Sequence, residues 1–326
     1  MSGLYDGERP LRIIFIGDVV GQSGCDAVSQ LLPKMIDDWK VDIAIVNGEN
    51  AADGFGITEA IYHQFIAAGA DVVTLGNHSW SKKEALTFIG NAPRLIRPLN
   101  YLPGTPGCGS VLIETRNGKR VLVINALGRL FMEPVNDPFG LLDEVISAHP
   151  LRKIADAIVL DFHGEASSEK LAAGYFCDGR VSLVVGTHKH VPTADHRILP
   201  LGTAYITDAG MTGDYESIIG IKKEEMMHRL TTGIPSGRFE AAEGVATMCG
   251  IAVETDAATG LATHVSPLHA SPLASQGDEP IEDEAKAVRH RVVCIIMKTL
   301  VPQNLFMSDG TDLALPRNPP SSAMCS

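Results

Sequence analysis

An α/β layered domain is what this 326-residue sequence predicts. Short apolar runs rich in Val and Ile recur along it, as they do in strands buried on both faces of a sheet. Helical patterns lie between several of these runs, which is the alternation of an α/β fold. Donor residues follow the ends of the runs, where open α/β sheets carry their ligand crevice.

The strand-like runs are 12–16, 42–46, 71–75, 120–125, 157–162, 182–185 and 204–207. Thr58 is a good N-cap for a helix whose Ile61, Phe65 and Ala68 keep helical spacing. Ser81 and Glu84 form an S-x-x-E pattern, which predicts a capping box opening a helix through Ala85, Phe88 and Ile89. Ser167 is the expected cap of a third helix over 169–176. Segments 111–114 with 121–124, and 247–254, read as hairpin-like antiparallel pieces. Residues 1–10 form a flexible leader and 11–266 the main domain in this reading. Residues 267–326 differ in composition, with Pro, Ser and acid in 271–285, an amphipathic helical pattern over 288–301 and a loop-like end. They read as a partly helical or disordered extension without chemistry of its own.

Hydrophobic content of 45% and charged content of 20% describe a globular protein. The net charge of −12 argues against a nucleic acid polymer as partner. It leaves room for a small phosphate ester where bound metal reverses the local field. The six cysteines, at 25, 108, 177, 249, 294 and 325, form no C-x-x-C pair and read as scattered reduced thiols. The N-terminus shows no signal-peptide pattern, and no apolar run reaches the roughly 20 residues that span a bilayer. Cytoplasm is the expected compartment, with no membrane partner; homo-oligomerisation stays open.

Gly17-Asp18, Gly48-Glu49-Asn50 and Gly76-Asn77-His78 follow three successive runs. Alone, Asp18 reads as a turn residue, Glu49-Asn50 as a loop, and Asn77-His78 as a cap and a surface histidine. Their joint recurrence points instead to one ligand cluster. His163 closes the run 157–162, and His188 and His190 follow 182–186. On an extended backbone the last two share one side, with Lys189 on the other. Neutral imidazole is a common metal ligand. Histidines 63, 149, 196, 228, 264, 269 and 290 lack such context. Carboxylates, amides and imidazoles without thiolate suit Zn, Mn or Fe rather than Mg or Ca. The donors are too many for one tetrahedral ion, so a two-metal centre is expected, its ions roughly 3.5–4 Å apart. Phosphoryl ester hydrolysis is the reaction such a pair serves.

The motifs GDVVGQSG (17–24), NGENAADGFGIT (47–58), GNHSW (76–80), RPLNYLPGTPG (97–107), DFHGEASSEK (161–170), GTHKHVPTAD (186–195) and AYITDAGMTG (204–213) occur in order. On these the chain resembles the calcineurin-like metallophosphoesterases, most closely their YmdB-type branch. The resemblance implies a four-layer α/β/β/α sandwich, a dinuclear centre usually taken to be iron, and cyclic-nucleotide phosphodiesterase activity on 2′,3′- and/or 3′,5′-cyclic substrates. It also implies that Asp18, Asn50 and His190 hold one metal, that Asn77, His163 and His188 hold the other, and that Glu49 bridges them. A metal-held hydroxide would attack, and His78 would be the general acid protonating the leaving alkoxide.

Three positions depart from the pattern that the resemblance implies. Cys25 stands where the branch usually has arginine, Ser81 where it usually has aspartate, and Lys189 where threonine is common. None is a proposed ligand. Two other readings compete: a phosphomonoesterase or nucleotidase with the same metals, and a nucleotide- and metal-binding signalling protein whose hydrolysis is incidental.

Overall fold

The computed structural model describes residues 9–271. Its strands are β1 (Arg12–Ile16), β2 (Asp18–Val19), β3 (Ile43–Asn47), β4 (Val72–Thr74), β5 (Leu95–Ile96), β6 (Ser110–Glu114) and β7 (Arg120–Leu127). There follow β8 (Ala157–His163), β9 (Leu183–Thr187), β10 (Arg197–Ile198), β11 (Ala204–Ile206), β12 (Met211–Asp214), β13 (Ala246–Thr255) and β14 (Ala262–Ala270). The helices are α1 (Gly21–Trp39), α2 (Glu59–Ala67), α3 (Ala85–Phe88), α4 (Pro138–Ala148), α5 (Ser167–Cys177) and α6 (Lys223–Thr232).

Two sheets stack. One runs β2-β12-β13-β1-β3-β4-β5 with β14 on the far side of β13, and the other runs β10-β11-β9-β8-β7-β6. Strand alternation sorts the side chains into three apolar layers. Ile13, Phe15, Ile43 and Ile45 meet Val121, Val123, Val159 and Val185 between the sheets. On the outer face of the first sheet, Ile14, Ile16, Ala44 and Val46 pack against Val28 and Leu32 of α1 and Phe65 of α2. On the outer face of the second, Leu122, Ile158 and Leu160 pack against Leu142 of α4 and Ala173 of α5. The result is the four-layer α/β/β/α sandwich. Because β1, β3 and β4 are parallel, as are β7, β8, β9 and β11, their C-terminal ends gather at one edge.

Thr58 caps α2 as expected, its Oγ1 accepting from Ile61 N at 3.3 Å. The hairpin of β6 with β7 also forms, with Val111 opposite Val123. Two expected caps do not. Ser81 makes no box: α3 begins after Glu84 with no side-chain cap. The Glu84 carboxylate turns away to accept from Glu59 N at 3.0 Å, in the first turn of α2. Helix α5 starts at Ser167 itself, after an uncapped Ala166. Helix α1 hides from sequence because Gly21, Gly24 and Pro33 read as breakers. Gly24 is there for contact: a Cβ on it would fall 2.4 Å from the Thr212 carbonyl of β12. Strand β14 carries the sheet beyond residue 266 to Ala270, with Pro267 opposite Ile251. A proline is tolerated there because β13 is the only strand paired with β14 among the described residues. The helical pattern at 288–301, the rest of the extension and residues 1–8 lie outside the described residues.

Candidate metal centre

The strand ends bring every predicted donor to one place. Asp18 opens β2, Glu49 and Asn50 follow β3, and Asn77 and His78 follow β4. From the other sheet, His163 ends β8, and His188 and His190 follow β9. Asp18, Glu49 and His163 are fully buried, and ligand atoms of these three lie within 4.8 Å of one another. His163 Nε2 stands 2.7 Å from Glu49 Oε2, 3.0 Å from Asn77 Oδ1 and 3.1 Å from His188 Nδ1. On the other flank, His190 Nε2 is 3.0 Å from the Asn50 side-chain amide.

The paired histidines reach the site by a route other than the one their spacing suggested. They do not continue the strand. His188 and His190 have positive φ, 101° and 60°, so the backbone turns through the left-handed region just past β9. Non-glycine residues are rare there, and such strain gathers at functional sites. Asp208 holds this turn: its Oδ2 accepts from Lys189 N at 3.0 Å and from buried Lys170 Nζ at 2.7 Å. Asp18 accepts from His188 N at 3.0 Å. Lys189 therefore does not point away. It lines the same cavity and pairs with Glu165.

The far nitrogens of both rings face acceptors. His188 Nε2 lies 3.2 Å from Glu165 Oε2, and His190 Nδ1 lies 2.7 Å from the Ile219 carbonyl. Their near nitrogens are thereby left as lone-pair donors, the arrangement found around metal-ligating histidines. Two further observations fit a cation. Glu49 Oε2 is buried with only the His163 ring nitrogen, at 2.7 Å, beside it. A Cβ on Gly76 would fall 2.5 Å from His163 Nε2 and 2.6 Å from Glu49 Oε2, so glycine keeps that space clear.

The electrostatics agree. Burial disfavours charge on His163, but Glu49, Asp18 and Asp161 outweigh it and lift its pKa to about 9. Burial likewise opposes charge on Glu49, yet His163 and His78 hold it down at about 2. Burial pushes Asp18 up, and burial with the His163 charge pushes His188 down to about 3. The cluster is short of positive charge and draws a proton to supply it, which a metal ion would do better.

Sequence reasoning missed the groups behind the donors. Asp161, Thr187, Lys170 and Asp208 are all fully buried. Asp161 had a readable signal, since it is an acid inside an apolar strand at a position facing the other sheet. Cys25 is a buried thiol whose pKa burial lifts to about 12, so it serves as inert packing. His78 Nδ1 keeps a polar neighbour in Ser81 Oγ at 3.3 Å, and its ring meets Phe55 edge-on with centroids 5.1 Å apart.

Beside the donors opens a cavity of about 450 Å³. Asn50, His78, His188 and His190 form its floor; Phe55, Ile219, Ile221, Met226 and Phe239 give it an apolar wall. The YmdB-like protein family matches residues 14–268. The chain belongs to that family. It is 50% identical over 255 residues to a 2′,3′-cyclic-nucleotide 2′-phosphodiesterase of Bacillus subtilis (strain 168), covering 78% of this chain and 95% of that one. Among solved structures, a phosphatase from Mycoplasma pneumoniae superposes with TM-score 0.74 at 33% identity, covering 81% of this chain and 94% of the other. The calcineurin-like phosphoesterase YfkN of Bacillus subtilis shares the fold, with TM-score 0.50 at 13% identity over 89% of this chain and 98% of its own. The protein is a phosphoric ester hydrolase with the calcineurin-like phosphoesterase fold, and its buried Asp18, Glu49 and His163 form a cluster that could hold a metal ion. No described helix is long and apolar enough to cross a membrane.

Proposed function

We propose that the chain hydrolyses small cyclic nucleotides, 2′,3′- and/or 3′,5′-cyclic, at a two-ion centre. The observation that carries this reading is the junction of a buried donor cluster with an apolar-walled cavity. The cluster serves the phosphate and the wall serves a nucleobase. Relatedness to the Bacillus subtilis enzyme supports the 2′,3′-cyclic class. Asn77, His163 and His188 would hold one ion, Asp18, Asn50 and His190 the other, and Glu49 would bridge them. A donor set of carboxylates, amides and imidazoles suits iron, manganese or zinc alike, and the family resemblance points to iron. When bound, such ions neutralise phosphate charge and activate a water for in-line attack.

The chain's own residues supply the rest. His78 lines the cavity without belonging to the proposed ligand set, and it delivers the proton to the leaving alkoxide. Burial lowers its pKa, and an anionic phosphoester beside it acts in the opposite sense. The apolar wall stacks on the base and fixes the ester's orientation. Turnover of 2′,3′-cyclic, 3′,5′-cyclic and linear phosphate esters tests the proposal. Activity on monoesters alone would refute it.

A further inference from the structure

Asp161 is a buried carboxylate between the sheets, and no lysine or arginine pairs with it among the described residues. It is instead surrounded by donors. Its Oδ2 accepts from Asn47 Nδ2 at 3.0 Å and Thr74 Oγ1 at 2.5 Å, and its Oδ1 accepts from Thr187 Oγ1 at 2.6 Å. Asn47 turns its own Oδ1 to the Glu49 N–H at 3.1 Å. Thr187 Oγ1 also lies 2.9 Å from His163 Nδ1.

A hydroxyl has one proton to donate. Thr187 gives it to Asp161, so toward His163 it can only accept. His163 Nδ1 must therefore carry the hydrogen, and Nε2, which faces Glu49, Asn77 and His188, is the atom left for a metal. We propose that Asp161 is a positioning residue that, through the Thr187 hydroxyl, locks His163 in the tautomer able to bind metal. This rests on the two-ion reading of the centre. Carboxylates that orient metal-binding histidines raise metal affinity about 10–100-fold. Here the carboxylate acts one hydroxyl removed.

The test is Mn²⁺ titration of the chelator-stripped full chain, followed by electron paramagnetic resonance of free Mn²⁺, with ¹⁵N-histidine spectra reporting the tautomer. The wild type should take up two equivalents. Thr187→Val should weaken one site about 10-fold or more while sparing the other. Thr187→Ser should restore wild-type affinity, because it keeps the hydroxyl. Asp161→Asn, which can donate toward Thr187 and so reverse the chain, should weaken the same site and shift the His163 ¹⁵N signals toward the Nε2–H form. Unchanged Mn²⁺ affinity in Thr187→Val overturns the relay, as does a Thr187→Ser variant no better than Thr187→Val. A wild type that takes up no Mn²⁺ overturns the metal reading itself, and the relay with it.

Discussion

The floor of the cavity and its outer wall are built by opposite means. The floor residues Asn50, His78, His188 and His190 follow strand ends, and the donors behind them, Asp18, Glu49 and His163, are all at 0% exposure. Hydrogen bonds to Asp161 tie strand to strand beneath them, from Asn47 and Thr74 of the other sheet and from Thr187 of the neighbouring strand. Apart from Phe55, the wall comes from α6, a helix with no buried residue, and the loops beside it. Ile219 is 48% exposed, and Phe239 is held by the Arg229 guanidinium 4.0 Å from its ring centroid. Rigid strand ends suit groups that must hold ions in fixed geometry, whereas a surface-built wall can adapt to a substrate's shape. Chemistry and selectivity thus belong to separate parts of the chain.

Breaking the floor should cost most. His163→Ala should remove one of two metal equivalents, and activity should fall further than removal of the proton donor can explain. Elemental analysis of protein purified without chelators reads this directly; unchanged metal content would contradict the proposed ligand. His78→Ala sharpens the division within the floor. It should keep both metals yet lower kcat about 10²–10⁴-fold, and a fully active variant would discard the assigned acid. Phe239→Ala tests the wall. It should raise KM for a cyclic nucleotide about 10-fold, the scale of one lost base-stacking contact, while kcat and metal content stay near wild type. A matching loss of kcat would mean that wall and floor are not separate.

The same division decides what could be read in the sequence. Runs such as 12–16 and 157–162 announce buried parallel strands by composition alone, and donors after them mark the crevice. That logic found Asp18, Glu49, Asn50, Asn77, His78, His163, His188 and His190, which all meet at one edge. It misjudged how the last two arrive, because left-handed turns at His188 and His190 leave no trace in residue spacing. Ser81 and Glu84 matched a local cap, yet Ser81 turns back to His78, three residues earlier, and Glu84 reaches a tertiary partner in the first turn of α2. Helix α1 was disguised by Gly21, Gly24 and Pro33, of which Gly24 is there for its close contact with β12. The wall could not be read at all. Phe55, Ile219, Met226 and Phe239 are unremarkable hydrophobics until the fold places them around one cavity.

The clear space above Gly76 has a consequence for variation at that position. Even the smallest carbon side chain, one methyl group, would compete for the volume in which the donors converge. Gly76→Ala would thus act as a built-in plug that no excess of metal displaces. The layered domain beneath would lose little of its apolar burial, so the variant should melt near wild type while its metal content drops. A normal metal content at an unchanged melting temperature would show that Glu49 and His163 can step aside. Should the plug hold, a single carbon would separate folding from catalysis in this chain, and the variant would serve as its inert twin.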